Sequence, residues 1–474
     1  MKFSNYLTVA IRLCFLIAAS FFLYECSEPT LTRMPVDDVP PSDVDDNDLD
    51  NTVLSCADCD YVVPPKQHVI DGKALNIQPG DVIGLSANVE YGNLVFRNIV
   101  GTPDRPVIIK NCDGTAIVDG TGLAFALKTQ YSRHFRITGG NKDNDYGLVV
   151  KGGRIGIALG DLSTDLEVDH CEVKDIGFAG IMAKTDPDCD DATIRGNFLM
   201  KNVNLHHNYV HDTGGEGFYV GNSFWDGMQR DCGLRLPHEI HNLRINDNII
   251  RNTGWDGIQV GCATKGTRIY ANIIENYGLA EVRHQNSGMQ IGGGTGGLCY
   301  GNLIRNGTGN GMIVMGLADN IVYNNIIVDA GDIGIFCDER YSPGPGFQFI
   351  NNTIINPATD GIRIYAEKVP MNIIRNNVIV NPGNYNVYKY PRSGDDAFVY
   401  KLSKDVRIEM SNNLFAHDLE SVGLADIKHG NFRPVAGSPL VDRGADISEY
   451  DIKYDFYKMP RSKGFGVDIG AAEF

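Results

Sequence analysis

The 474-residue chain is acidic, with a formal net charge of −17 and a sequence pI near 5.0. A nucleic-acid partner is excluded on this ground, because phosphates require a basic surface. An acidic polysaccharide remains compatible, since a local cleft can be basic on an acidic protein. The 54 glycines and the short Val/Ile runs predict short strands with many tight turns, and no long segment has the 3.6-residue apolar period of a helix.

The N-terminus has the pattern of an export signal. Lys2 and Arg12 precede an apolar run at Leu13–Leu23, which is too short to span a bilayer but suits a signal peptide. Cys26 follows this run, as in bacterial lipoprotein signals, in which the Cys becomes the lipidated first residue. Residues 1–26 are therefore predicted to be a signal peptide, with a lipid anchor on Cys26 as the sole membrane contact.

Residues 27–65 are predicted to be a disordered acidic linker. Seven Asp lie between Asp37 and Asp50, and several Pro accompany them. The segment resembles the surface-export tethers of Bacteroidetes lipoproteins, which implies a location on the outer membrane at the cell surface, or otherwise in the periplasm or medium. Cys56 and Cys59 are close enough in sequence to form a disulfide.

A self-similar unit recurs through the middle of the chain at intervals of roughly 23 to 40 residues, which indicates a solenoid. An Asn opens an apolar run in each unit: Asn208, Asn248, Asn272, Asn302, Asn325, Asn352 and Asn377. A Gly follows after a turn. Two apolar residues then flank a residue whose type varies from unit to unit, as in Phe218-Tyr219-Val220. This alternation predicts a strand with one face on a core.

Three short strands per coil, with identical columns stacked along an axis, resemble the right-handed parallel β-helix of the secreted polysaccharide-lyase-like and pectate-lyase-like superfamily. The first coils at Pro79–Gly120 and the C-terminal end are similar to those of such proteins. The resemblance implies an all-β, single-stranded right-handed parallel β-helix over residues 66–420, closed by a cap at 421–474. It also implies that the Asn residues form a structural ladder between the second and third strands.

The resemblance places the substrate groove on the Gly-containing first strand of each coil. Two long loops flank this strand, one after Val220 and one between Asn276 and Gly288. Long loops on a regular scaffold tend to carry function. Tyr219, Gln259 and Gln290 share one outward column and could bind a sugar by stacking and amide hydrogen bonds, with Trp225 and Arg230 in the loop as further binding residues. The alternative is an ordinary solvated strand face.

Glu216 and Asp256 each precede a strand Gly and are candidate catalytic residues. Because stacked coils repeat at about 4.8 Å, the two carboxyl groups could have the separation of a retaining glycosidase. Asp beside Gly is also ordinary turn chemistry. A β-elimination lyase is the rival enzyme, although the charged motifs of the known lyase families are missing. Its candidate residues lie in the two loops: Arg283 and His284, with Arg230, Arg235 and His238.

Two clusters suggest metal binding. Asp186, Asp188, Asp190 and Asp191 have part of the oxygen spacing of a calcium loop, but the Gly and final Glu of that motif are missing. His206 and His207 are adjacent, and strand alternation predicts that they face opposite sides. No metal site is therefore assigned, and Ca²⁺ stays an open alternative.

The sequence thus predicts a monomeric, exported protein with a polysaccharide or oligosaccharide partner. It favours an enzyme, either a lyase or a glycoside hydrolase. The alternative is a non-catalytic glycan-binding or adhesive protein, which would use the same groove without an acid or a base.

Overall fold

The computed structural model describes residues 54–140, 146–341, 344–386, 390–461 and 464–474. The predicted signal peptide with Cys26, and most of the predicted linker, lie outside these residues. In the described part there is no α-helix, and no helix is long and apolar enough to span a membrane. Five short 3₁₀ helices occur, at Cys56–Asp58, Asp191–Thr193, Gly394–Ala397, Ile427–His429 and Ser448–Tyr450.

Three long parallel sheets form the body, and each coil contributes one strand to each sheet in turn. The Gly-containing strands form sheet 1: Val69–Asp71, Leu94–Arg97, Phe125–Gln130, Ile155–Leu159, Ala179–Ala183, Phe218–Val220, Ile258–Val260, Met289–Ile291, Met312–Val314, Ile335–Cys337, Ile362–Ile364 and Val399–Lys401. All neighbours in this sheet pair in parallel, which confirms the predicted β-helix.

Sheet 2 follows sheet 1 in each coil: Tyr61–Val62, Val82–Ser86, Val107–Cys112, Arg133–Thr138, Thr164–Asp169, Leu199–His206, Glu239–Asn246, Arg268–Tyr270, Leu298–Tyr300, Ile321–Tyr323, Gln348–Ile350, Asn372–Arg375 and Ile408–Ser411. Sheet 3 completes the coil: Glu90–Tyr91, Ala116–Asp119, Leu148–Lys151, Cys171–Ile176, Tyr209–Thr213, Ile249–Thr253, Ile273–Glu275, Leu303–Gly307, Ile326–Ala330, Thr353–Ile355, Val378–Val380 and Leu414–Ala416. Two antiparallel hairpins lie outside the sheets, Met228–Arg230 with Gly233–Arg235 and Leu424–Asp426 with Asn431–Pro434.

The core runs along the axis and consists of the inward columns of all three sheets. Phe218 and Val220 are fully buried in one coil, and Ile258 and Val260 repeat the pattern in the next. Cys299 and Cys337 are buried in these columns, where they pack as small apolar residues. Side chains at i and i+2 therefore fill the interior, and the residue between them points outward.

The predicted Asn ladder is present in the turn between sheet 2 and sheet 3. Each ladder Asn after Asn208 accepts a hydrogen bond from the backbone N–H of the previous one. The N–H of Asn208 donates to Asn248 at 3.0 Å, and the contact recurs in each coil as far as Asn352, whose N–H donates to Asn377 at 2.9 Å. Asn413 extends the ladder by one coil, since it accepts from the N–H of Asn377. All seven predicted Asn are fully buried, so the ladder satisfies turn groups that have no access to water.

The body begins earlier than the predicted boundary at residue 66. Tyr61–Val62 already pairs with the strand at Val82–Ser86, and a disulfide joins Cys56 to Cys112. Cys56 thus pairs with a residue of sheet 2 and not with Cys59, which is a free thiol. Residues 54–65 are consequently part of the fold and not of the linker, because they are held by a strand ladder and a covalent bond.

The C-terminal segment packs along the side of the last coils. Phe432, Leu440 and Ile469 pack on the outer face of sheet 3, against Ile355 and Val378. The backbone N–H of Ala471 also donates to the hydroxyl of Thr353 at 2.9 Å. The segment at 421–474 therefore covers the side of the last coils, where the outward column of sheet 3 is apolar.

Candidate functional site

Two long loops bracket sheet 1, as the sequence predicted. The loop at residues 221–238 contains the hairpin Met228–Arg230 with Gly233–Arg235, and the Cys189–Cys232 disulfide joins it to the loop of the preceding coil. The loop at residues 276–288 lies on the other side of the sheet and exposes Leu279 and Val282. Between them lie the strands Phe218–Val220, Ile258–Val260 and Met289–Ile291.

Tyr219, Gln259 and Gln290 form one column on the outer face of sheet 1. Tyr219 pairs in register with Gln259, and Gln259 pairs with Gln290. The column is not an open platform, contrary to expectation, because the three residues are only 9%, 3% and 8% exposed. Ser223, from loop 221–238, contacts both the Tyr219 hydroxyl (2.9 Å) and the Gln259 amide nitrogen. The loop thus lies over the column.

The two loop residues predicted to bind substrate have structural contacts. The Arg195 guanidinium lies 3.6 Å from the centroid of the Trp225 ring, and the other side of the ring is so close to Gly294 that a Cβ there would collide with it. Arg230 donates through Nε to the backbone oxygen of Pro187 at 2.8 Å. These contacts fasten loop 221–238 to its neighbours, so neither side chain is free to bind a sugar in this conformation.

Glu216 and Asp256, called the acid pair below, come from adjacent coils on the outer side of sheet 1. They stand two residues before Phe218 and Ile258, which are register partners, and the N–H of Gly217 donates to the oxygen of Asp256. Four coils after Asp256, Asp360 occupies the same column, and its carboxylate binds the outward-facing Arg363 at 2.7 Å. The acid column therefore faces the same side as the Tyr219 column.

Both members of the acid pair are buried, at 1% and 0% exposure, so neither touches solvent-borne substrate in this conformation. Burial raises the pKa of Glu216 to about 7. Burial and the neighbouring Glu216 charge raise the pKa of Asp256 to about 8, although the Ser287 N–H donates to Asp256 Oδ1 at 2.6 Å. The physical cause is the loss of hydration of the charged form. Asp256 consequently keeps its proton at neutral pH, whereas Glu216 loses its proton near pH 7.

Four of the buried polar atoms without a hydrogen-bond partner in the described chain lie on three strands of sheet 1 or directly before them: Glu216 Oε2, Asp256 Oδ2, Gln259 Oε1 and Ser287 Oγ. Buried polar atoms normally have hydrogen-bond partners, so each exception calls for an explanation such as a catalytic role or an ordered water. Ser287 shares the acid column, one coil beyond Asp256. The four atoms therefore mark one polar site that spans three consecutive coils.

Two aromatic residues that were not predicted from the sequence, Phe178 and Trp255, lie beside this site. Phe178 packs edge to face with Trp255, at 5.3 Å between ring centroids, and with Tyr219, at 6.3 Å. Phe178 and Trp255 are half-buried and therefore present some aromatic surface to solvent. Their signal was an aromatic residue directly before the column residue, in Gly-Phe-Ala-Gly and Gly-Trp-Asp-Gly. Such rings could stack on sugar faces.

The residues proposed for a lyase do not meet the acid pair. Arg283 and His284 are exposed on loop 276–288, where His284 has the left-handed φ of 66°. Arg235 binds Asp191 at 2.6 Å, and the buried His238 ring accepts a hydrogen bond from the Thr185 N–H at 3.0 Å. Of the cationic candidates named for the lyase reaction, only Arg283 and His284 remain available to a ligand.

The aspartates of the candidate calcium loop are committed to local contacts. Asp188 accepts from the N–H of Asp190 at 2.8 Å and from the Thr193 hydroxyl at 3.0 Å. Asp186 binds Lys184 at 2.8 Å, and Asp191 binds Arg235. The structure does not bring these carboxylates together as a calcium ligand set, because each one is directed to a different neighbour.

His206 and His207 lie side by side, which corrects the prediction of opposite faces. Their Nδ1 atoms are 2.8 Å apart. The reason is that His207 has a left-handed φ of 51°, as do most residues that directly precede a ladder Asn, and this turn interrupts strand alternation. Sequence alternation does not apply at that position.

Glu167, Asp169 and His206 have ligand atoms close enough to hold a metal ion. Arg136 already occupies the position between the two carboxylates, with Nε 2.6 Å from Asp169 and 3.2 Å from Glu167. Arg136 and His170 hold the pKa of Asp169 well below its usual range, against the effect of burial. A guanidinium at this point repels a cation, so the residues present do not fit a metal.

The raised pKa of Glu216 predicts a stability change with pH. A group whose pKa is higher in the folded state stabilises the fold at low pH, and that contribution is lost as pH rises through the folded pKa, here about 7. Glu216→Gln should therefore match the native protein at pH ~4 and exceed its unfolding free energy by about 3 kcal/mol at pH ~9. Denaturant unfolding at the two pH values measures the difference.

Glu281→Gln is the matched control, because Glu281 is exposed on loop 276–288. It should change the unfolding free energy by less than ~0.5 kcal/mol at either pH. An equal effect of Glu216→Gln at both pH values would show that the Glu216 carboxyl is hydrated in solution.

Comparison with known proteins agrees with the architecture. A family model that describes a right-handed β-helix region matches residues 236–415. No curated protein sequence matches the chain. Among solved structures, the chain is similar to the pectate lyase Pel9A, with 14% identity over 84% of this chain and 89% of that one and a TM-score of 0.44.

An alginate lyase from Paenibacillus is 16% identical, over 73% of this chain and 97% of that one, with a TM-score of 0.40. A GH136 lacto-N-biosidase from Eubacterium ramulus is 13% identical, over 73% and 64%, with a TM-score of 0.44. The three parallel sheets, the Asn ladder and the matched family model together identify the chain as a right-handed parallel β-helix protein.

Proposed function

We propose that the protein is a glycoside hydrolase that cleaves a polysaccharide or oligosaccharide on the outer face of sheet 1. The observation that supports this most directly is the acid pair: two carboxyls with raised pKa values, on adjacent coils, each with an unpartnered oxygen. Adjacent coils are separated by about 4.8 Å, which suits the carboxyl separation of roughly 5 Å in retaining enzymes.

The two pKa values suggest the roles. Glu216 has the lower pKa and is the nucleophile once ionised, while Asp256, with the higher pKa, keeps its proton and is the general acid. Asp256 protonates the leaving oxygen while Glu216 attacks the anomeric carbon. The deprotonated Asp256 then removes a proton from water, which hydrolyses the glycosyl-enzyme and restores both carboxyls.

Substrate entry requires a movement of loop 221–238. Ser223 bonds to the column at Tyr219 and Gln259, and the acid pair is covered. The loop is longer than its neighbours and Phe224 is 55% exposed near Ser223. We propose that sugar hydroxyls replace the Ser223 contacts, after which Gln259 and Gln290 bind the chain. Phe178 and Trp255 supply the stacking surface.

A hydrolase is favoured over a lyase by the position of the charges. A lyase needs a base near the sugar C5 proton and a cation to neutralise the uronate. Arg283 and His284 are exposed at a loop, whereas the acid pair lies in the centre of the sheet. The alternative is a non-catalytic glycan-binding protein, for which the buried acids would be structural.

A panel of neutral and uronic polysaccharides tests the proposal. The hydrolase should release new reducing ends without the ultraviolet absorbance of an unsaturated uronide; that absorbance would contradict the proposal in favour of a lyase.

Binding is measured separately by intrinsic fluorescence, because the chain has two Trp, Trp225 in the loop and Trp255 beside Asp256. In the variant Trp255→Phe only Trp225 remains, so a fluorescence change on binding would report on loop 221–238 alone. Binding without products throughout the panel would favour the adhesive protein.

We also propose that the protein is exported and anchored at the cell surface through Cys26. Two disulfides support an oxidising compartment, since such bonds rarely persist in the cytosol. Metabolic labelling with a fatty-acid analogue should label the native chain and not Cys26→Ala. Equal labelling of both would contradict the anchor.

A further inference from the structure

A strip of cationic side chains runs along the outer face of sheet 2, on a protein whose net charge is −17. Lys201 pairs in register with His241, and His241 bridges to Lys265 on the next coil. Arg244 pairs in register with Arg268. Met200 and Ile240, which precede Lys201 and His241, are fully buried, so alternation places the strip on the outside.

The acidic residues on this face already have other partners. Arg136 binds both Glu167 and Asp169, and Glu167 also contacts His206. Glu239 accepts from the Thr264 hydroxyl at 2.8 Å and contacts His241 at 3.2 Å. These three carboxylates are therefore engaged by groups other than Lys201, Arg244 and Lys265.

Three cations of the strip have no carboxylate partner within the described residues: Lys201, Arg244 and Lys265. Lys201 and Lys265 are exposed and Arg244 is half-buried. Like charges opposite each other in a sheet are destabilising. Such an arrangement is tolerated when an anion is bound for part of the time, and it draws anions to the surface.

A cavity of about 300 Å³ opens beside the strip, lined by Arg195, Asn197, Phe198, Leu199, His241 and the carboxylate of Glu239, which contacts His241. It combines hydrogen-bonding groups with an apolar wall, which is the composition of a sugar-sized subsite. The strip and cavity together extend over the coils that contain Leu199–His206, Glu239–Asn246 and Arg268–Tyr270. A ligand that contacts all of them must be extended along the axis.

We propose that this face of sheet 2 binds an anionic polysaccharide, whose carboxylate or sulfate groups contact Lys201, Arg244 and Lys265 while a sugar ring enters the adjoining cavity. Lys201 and Lys265 share one column two coils apart, about 9.6 Å, and Arg244 stands in a parallel column on the coil between them, so the three cations suit a chain with charges at intervals along the axis. Further along the axis, the same face is covered by Ile447 and Ile452 of the C-terminal segment, which limits the site to the coils before it. The site is separate from the acid pair on sheet 1.

Isothermal titration of the full chain with polygalacturonate, dextran sulfate and neutral dextran tests this proposal. Both charged polymers, or one of them, should bind more tightly than dextran, and the affinity should fall at high salt. The double variant Lys201→Gln, Lys265→Gln and the single variant Arg244→Gln should each weaken binding about tenfold. Polygalacturonate and dextran sulfate distinguish carboxylate from sulfate recognition.

Lys404→Gln with Lys428→Gln is the control, because both lysines are exposed elsewhere and the pair changes net charge equally. It should leave the affinity within twofold of the native value. Thermal unfolding verifies that each variant is folded. Equal binding of dextran, unchanged affinity in the strip variants, or binding of anionic lipid vesicles but of neither charged polymer would overturn the proposal. Loss of binding in Glu216→Gln would also overturn it, because the ligand would then occupy sheet 1.

Discussion

Glu216→Gln and Asp256→Asn should each lower the turnover number for glycoside cleavage by ~10³-fold. Each change replaces a carboxyl by an uncharged amide of similar size, so the buried packing is preserved. Glu216→Gln removes the nucleophile and Asp256→Asn removes the proton donor. Reducing-end release under saturating substrate measures the turnover, and the fluorescence titration should give a substrate affinity close to the native one.

The pH profile separates the two roles. The active state has an ionised Glu216 and a protonated Asp256, so the rate should rise as Glu216 loses its proton near pH 7. It should fall as Asp256 loses its proton near pH 8. The native profile is therefore bell-shaped with its maximum between these values. The residual activity of Asp256→Asn should keep the rising limb and lose the falling one.

Two further variants complete the experiment. Glu281→Gln lies on the exposed loop 276–288 and should keep its activity within twofold. Azide should restore turnover of an activated glycoside in Glu216→Ala, because it can replace the missing nucleophile. In Asp256→Ala the nucleophile Glu216 is still present, so azide should not act in its place. If both amide variants kept more than a tenth of the native activity, the acid pair would be structural and the hydrolase assignment wrong.

The stacked architecture could be predicted because a solenoid repeats one local rule. The ladder Asn residues mark one turn of each coil, and the alternation that follows Asn208 gave the inward residues Phe218 and Val220 correctly. The register of Tyr219, Gln259 and Gln290 followed in the same way. Each of these properties depends on contacts between a coil and its immediate neighbours.

The burial of the site could not be predicted, because it depends on contacts between distant segments. Loop 221–238 covers Gln259 through Ser223, and its position depends on the Cys189–Cys232 bond and on the Arg195 contact with Trp225. The repeat period of the sequence carries no information about such long-range contacts. The Cys56–Cys112 disulfide and the side position of the C-terminal segment are long-range in the same sense.

Asn302→Ala should lower the unfolding free energy by about 3–5 kcal/mol, the largest stability effect expected of a single substitution here. Asn302 Oδ1 accepts from the backbone N–H of Asn272 at 3.1 Å and from its amide at 3.0 Å. Its own amide donates to Ile269 at 3.0 Å, Tyr300 at 3.1 Å and Asn325 at 2.9 Å. Alanine leaves these groups unpaired in a turn without solvent access, and each costs about 1–3 kcal/mol.

Denaturant unfolding of Asn302→Ala beside Asn88→Ala measures the effect. Asn88 is exposed in a turn of the first coils, so its substitution should cost less than ~0.5 kcal/mol. Because each ladder Asn bonds to the coils on both sides, the loss at Asn302 reports the coupling between three coils. A loss below ~1 kcal/mol would mean that water enters the turn and replaces the bonds. The ladder would then set the register of the coils without contributing much to their stability.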